Sequence, residues 1–259
     1  MTPLCQRGPA SCGACCGLYN QRDLSRDGLR SLLRRRTDVL ARAPRTAAGF
    51  RAAAQELAPH EPEPLFPSVK ICPLLGYLDS DETRVGCLAH PLSTGGPDLR
   101  ICGVYTADIC FSFFCPSHSW LSEDDAQLVA TICADFHLYG LVVTDVQFVR
   151  ACLSAVASLA GARVELRHLK NDAFLRALWE LFSLKEELEP GSEGIYGAFR
   201  TGSDGEPVPR QIDFRELGRD TSTYEEILTC MGADPRSGND LEVLEREVRR
   251  RLQACQAAL

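Results

Sequence analysis

Nine cysteines crowd the first 115 residues of this 259-residue chain, three of them within Cys12-Gly13-Ala14-Cys15-Cys16, and that density limits what the N-terminal half can be. The nine are Cys5, Cys12, Cys15, Cys16, Cys72, Cys87, Cys102, Cys110 and Cys115. They stand beside glycine, proline and polar residues, as in Ile71-Cys72-Pro73, Gly86-Cys87-Leu88 and Phe114-Cys115-Pro116. Such turn contexts let a side chain face a shared site. The other four, Cys133, Cys152, Cys230 and Cys255, fall on apolar helical faces, where cysteine behaves as a small hydrophobe. We expect those four in the core.

An odd total of thirteen disfavours a complete disulfide framework. In a reducing compartment, clustered thiols more often hold metal or do catalysis. Cys12-x2-Cys15 has the spacing that lets two thiolates from one tight turn reach one centre. Cys15 and Cys16 are adjacent, and neighbouring side chains on extended backbone point apart, so the pair serves most simply by facing two metals or two irons of one cluster. Zinc sites and iron–sulfur clusters usually take four thiolates each. Nine thiols allow two four-ligand sites with one spare, or one site plus structural thiols. All nine are candidate metal ligands, and all but Cys5 are assigned to an iron–sulfur cluster as the first choice of cofactor, with zinc as the alternative. A redox dithiol at Cys12–Cys15 would need a preceding strand, and no strand pattern occurs in the eleven residues before Cys12. His90 and His118 lie near cysteines and are possible further ligands, although a polar turn histidine is the commoner case. His60, His137 and His168 have no nearby cysteine and read as surface or structural.

The organisation predicted is mainly α, with an irregular cysteine-rich metal-binding lobe over 1–118 packed with a helical region over 119–259. Leu29, Leu32, Leu33, Val39 and Leu40 recur at helical spacing between Asp23 and Leu57, and Pro44 divides that region into two helices. The interleaved Arg30, Arg34, Arg35 and Arg36 read as a solvated helix face before an acidic-partner site. Residues 59–69 carry four prolines and read as an extended connector. From Cys72 to Cys115 glycines abound and sustained apolar periodicity is lacking, so a structural metal would supply missing stability, on the order of 10–16 kcal/mol in small zinc modules. Asp79, Asp81 and Glu82 could position a cation, but a solvated turn explains them as well. Further on, Ser122 with Asp125, Thr144, Asn171, Ser222 with Glu225, and Asn239 are read as helix starts. Gly161 closes the second of these helices, and a hairpin is expected around Ile195–Phe199.

The net charge of −7 and a pI near 5.3 argue against nucleic acid held mainly through its phosphates, which needs clustered positive charge. The 25 Arg against 3 Lys reflect coding bias more than function. No apolar run approaches the ~18 residues of a membrane span, and Met1–Cys12 lacks a basic start followed by an apolar stretch, so neither a membrane segment nor a secretory leader is expected and the chain reads as cytoplasmic. No dinucleotide fingerprint, phosphate loop, H-E-x-x-H or G-x-S-x-G occurs.

The arrangement resembles the YkgJ-like family of zinc- or iron-chelating proteins with a CxxCC core. The matching pieces are Cys12-Gly13-Ala14-Cys15-Cys16-Gly17, Cys72-Pro73-Leu74-Leu75 and Gly86-Cys87-Leu88-Ala89-His90-Pro91. The segment Cys102-Gly103-Val104-Tyr105 leading to Cys110 and Phe113 is similar to that family's final element. The likeness spans roughly residues 5–116. It departs in the six residues between Cys5 and Cys12, in the lack of an Arg-Pro before the last cysteine, and in the additional Cys115. It implies metal binding. Flagellin lysine methylases carry a similar cysteine motif, which leaves a catalytic role open. Three functions are therefore weighed: a metal-cluster protein with a structural, carrier or electron-transfer role, an iron–sulfur enzyme, and a zinc-stabilised module whose helical half docks an unidentified protein.

Overall fold

A computed structural model describes residues 3–187 and 198–259 and is mainly α. The N-terminal segment makes 3-10 turns at Leu4–Gln6 and Ala14–Cys16 before the first long helix, α1 (Arg26–Arg42). Ser25 caps α1 by accepting from the Gly28 amide. Pro44 falls in the break before α2 (Ala47–Leu57), which Thr46 caps in the same way. The proline-rich connector then leads to a two-stranded antiparallel hairpin, β1 (Leu75–Tyr77) and β2 (Val85–Cys87), with Leu75 opposite Cys87. Three short helices follow: α3 (Pro91–Thr94), α4 (Ala107–Ser112) and α5 (Ser117–Trp120).

The remaining helices are α6 (Glu123–Ile132), α7 (Phe136–Val143), α8 (Val146–Ala160), α9 (Asp172–Phe182), α10 (Glu225–Cys230) and α11 (Gly238–Ala258). A second hairpin joins β3 (Phe199–Thr201) to β4 (Pro207–Pro209). It lies C-terminal to the one expected around Ile195–Phe199, of which residues 195–197 fall outside the described residues. The caps at Ser122 and Asn171 form as expected. Elsewhere the starts move. Asp145, not Thr144, caps α8 through the Phe148 amide. Ser222 bonds Glu245 at 2.6 Å instead of capping a helix at Glu225, and Ser237, not Asn239, caps α11. The helix α7 has no counterpart in the sequence reading: every residue from Phe136 to Val143 is buried, so no amphipathic stripe marks it.

Two apolar cores result. The larger joins α6–α11 to Leu4, Ala10, Leu18, Tyr19, Leu29, Leu75, Tyr77 and Val85, and so continues across residue 118. The smaller packs Val39, Leu40, Phe50 and Leu57 of α1 and α2 against Leu74, Ala89 and Leu99. The glycine-rich stretch from Cys72 onward thus borrows its apolar cover from the first two helices, which its own lack of periodicity did not foretell. Among the described residues no single helix is long and apolar enough to cross a membrane.

Arg34 and Arg35 lie on the exposed face of α1 as expected, and Arg36 does not. Arg36 is fully buried and makes a two-pronged pair with Glu61 of the connector. Arg34 makes another with Glu82 at 2.6 Å, and Arg35 reaches the His60 carbonyl at 3.3 Å. In the loop between β1 and β2, Asp79 accepts from the backbone and hydroxyl of Thr83 at 2.8 and 2.7 Å, so the acidic group there is a hydrogen-bonded turn.

Candidate metal centre

Backbone hydrogen bonds draw the early cysteines together from distant parts of the chain. The Cys12 amide donates to the Cys5 carbonyl at 3.0 Å, and the Cys72 amide donates to the Cys16 carbonyl at 2.9 Å. Gly17, at φ +77°, makes that second approach possible: a Cβ there would stand 2.3 Å from the Lys70 carbonyl oxygen. The hairpin returns Cys87 beside the segment that begins at Cys72, with Leu88 donating to Leu74 at 2.9 Å. Cys110 lies in α4, contrary to the turn context read from its neighbours, and Arg100 holds its carbonyl at 3.1 Å. Two tyrosines tie this region to α7. Tyr19 donates to the Phe136 carbonyl at 2.7 Å, and Tyr139 donates to the Leu4 carbonyl at 2.6 Å.

The thiols feel one another electrostatically. Burial raises the pKa of Cys5, with the charge of Cys115 adding to it. Burial likewise pushes Cys12 up to about 12, with contributions from Cys5 and Cys115. Cys15 donates to Cys115, which raises Cys15 and lowers Cys115. Cys16 is raised by burial and then by Cys72, Cys87 and Cys110. Burial also pushes Cys87 up to about 12, with Cys72 and Cys110 adding to it. Cys110 is raised by burial and by Cys72. Neighbouring thiolates repel one another, so burial and proximity together favour the protonated form of the raised thiols.

The Cys12 sulfur accepts from the Ala14 amide at 3.3 Å, and the backbone amides of Leu74, Ala89 and Ser117 lower the pKa of Cys72, Cys87 and Cys115 respectively. Amide donors stabilise sulfur in its anionic form. Arg36 and Arg100 act the same way at longer range, lowering Cys72 and Cys87 respectively against the dominant effect of burial. Neither arginine was singled out as a site residue from sequence; Arg100 and Arg84 are the two arginines between Cys72 and Cys115, which was the available signal.

Cys102 is buried in the smaller core that also holds Cys72. Its sulfur points at the Ala47 carbonyl, 3.6 Å away at the start of α2. The histidines are engaged elsewhere. His90 caps α3, its Nδ1 3.2 Å from the Leu92 amide, and His118 stacks against Phe114. His137 is buried between Glu186 and the Leu24 carbonyl, a structural position. Cys133, Cys152, Cys230 and Cys255 are fully buried in the larger core. Phe111, Phe113, Phe114 and Trp120 are more than half exposed and flank Cys110 and Cys115.

Among the described residues, no group of three or more His, Cys, Asp or Glu side chains forms a site for a single metal ion. A cavity of about 420 Å³ opens between α1, α2 and β1, and none of the nine cysteines lines it. No known protein family, curated protein or solved structure matches the chain, so the likeness to CxxCC proteins rests on its motif residues alone.

Proposed function

We propose that the N-terminal cysteines hold an iron–sulfur cluster and that the protein is a metal-cluster protein with a structural, carrier or electron-transfer role. What carries the reading is the convergence of eight thiols, from segments up to about a hundred residues apart, into mutual electrostatic reach. The donor set suits a cluster: sulfur ligands, an amide donor to the Cys12 sulfur, and two guanidinium groups, Arg36 and Arg100, that favour thiolate at Cys72 and Cys87. Once bound, the cluster supplies soft-ligand iron chemistry. The chain's part is to deliver thiolates, lower their charge penalty and shield them with apolar packing.

Four thiolates around one zinc at ~2.3 Å must stand within roughly 4 Å of one another, whereas cluster thiolates bind separate irons and spread wider. We take the wider arrangement as the first choice, with zinc as the alternative.

Side-by-side variants test the assignment. Cys15→Ser and Cys16→Ser should each lower bound metal in anaerobically purified protein and loosen the N-terminal half. Cys152→Ser should keep full metal while losing about 1–3 kcal/mol of stability from a hydroxyl placed in an apolar core. Equal metal loss in all three would contradict the division between ligand and core cysteines.

A further inference from the structure

We propose that the aromatic face carried by residues 101–120 is where two copies of this chain meet, as a symmetric dimer.

Of the thirteen large apolar side chains left exposed among the described residues, seven lie in that short stretch. Four of the seven are aromatic: Phe111, Phe113, Phe114 and Trp120, each 53–60% exposed. Scattered single apolar residues are ordinary on a surface, but a concentration of rings marks a site of contact.

The backbone that presents these rings is anchored from behind. Arg100 donates to the Cys110 carbonyl at 3.1 Å and lays its guanidinium over the Phe111 ring, 4.2 Å from the centroid. Asp98 in turn holds Arg100 at 2.6 Å. Phe114 stacks on His118 with ring centroids 5.0 Å apart, and Arg150 of α8 donates to the Trp120 carbonyl. A face held in this way loses little further freedom on association.

Its area suits a stable contact. Each aromatic side chain has about 150–250 Å² of surface, so the four at their observed exposure offer roughly 450 Å². A stable interface covers about 800 Å² on each partner, roughly 57–65% of it apolar. The four rings, extended by the exposed Ile101, Val104 and Ile109, therefore supply the apolar area of one whole side.

Charge selects the occupant. Residues 101–120 include one acidic residue, Asp108, and no lysine or arginine, whereas the whole chain carries −7. Two acidic copies repel, and a charge-poor face is where they approach with least cost. Interface cores are likewise depleted in charge and enriched in aromatic residues. An anionic lipid surface calls instead for clustered basic residues, which this stretch lacks. A face made of rings, with no directional pattern of charges, is complementary to itself, as a two-fold contact requires.

Sedimentation equilibrium of the full chain tests the contact, on protein purified without oxygen and kept reduced so that no disulfide links the copies. At micromolar concentrations the wild type should reach twice the 28.5 kDa chain mass. Phe113→Ser/Phe114→Ser should stay at the single-chain mass with unchanged helix content by circular dichroism. In a Trp179→Phe variant, Trp120 is the remaining tryptophan. Its fluorescence should shift to shorter wavelength as the protein is concentrated, a reading that leaves the face intact and stands even where the serine variant fails to fold. A wild type that is monomeric at every concentration overturns the proposal. So does a dimer that survives the serine changes, or one whose formation leaves the Trp120 emission unmoved. A monomer that co-sediments with phosphatidylcholine vesicles would give the face to a lipid surface instead.

Discussion

Gly17 is the residue on which the approach of Cys16 to Cys72 turns. Its left-handed backbone and the 2.3 Å clearance to the Lys70 carbonyl leave no room for a side chain. Gly17→Ala should therefore cost at least about 1–2 kcal/mol from backbone strain alone, and push Cys16 away from Cys72. Urea denaturation and metal content should fall together; an alanine variant with wild-type metal and stability would show that the turn is not needed. The thiols themselves carry a second prediction. Cys5, Cys12, Cys16, Cys72 and Cys87 have pKa values raised above 9.0, so each is protonated near neutrality and must lose its proton to bind metal. Cys115 is lowered and gives up less. Loading should release protons and tighten as pH rises from 6 to 8. Calorimetry in buffers of different ionisation enthalpy measures the release directly, and uptake without it would mean that sulfur is not the ligand.

At the scale of elements, α1 is anchored to the proline-rich connector by the buried Arg36–Glu61 pair. Glu61→Ala leaves a guanidinium enclosed without its anion and should cost about 3 kcal/mol. Replacing both partners by Met should restore most of that loss, and a midpoint of urea unfolding for each variant decides the matter. A double replacement as damaging as the single one would show that the pair is not what matters there. The long helices α1, α2, α8 and α9 were legible because their apolar residues recur at helical spacing, Asn171 caps α9, Pro44 interrupts and Gly161 closes, although the start of α8 was read at Thr144 where Asp145 caps. The helix α7 was not, since a segment buried on every side has no period to read. The hairpin of β1 and β2 hides among glycines in strands of three residues. Arg36 looked like surface because nothing in the sequence shows that Glu61 folds back onto it.

Across the whole molecule, the larger core and the two tyrosine bonds fasten the cysteine-bearing turns to the C-terminal helices. The cysteine types and the separation of early from late thiols could be read from neighbours in sequence. Which sulfurs become neighbours could not, because that depends on long-range returns such as Cys115 coming back to Cys5 and Cys15. The account as a whole stands on sulfur ligation of an inorganic centre. Its most direct test is iron, sulfide and zinc analysis of protein purified without oxygen, together with the visible absorption spectrum. The account predicts a brown protein with broad visible absorption and bound iron and sulfide. A colourless, metal-free protein whose early cysteines are all titrated as free thiols, or found as disulfides, would contradict it.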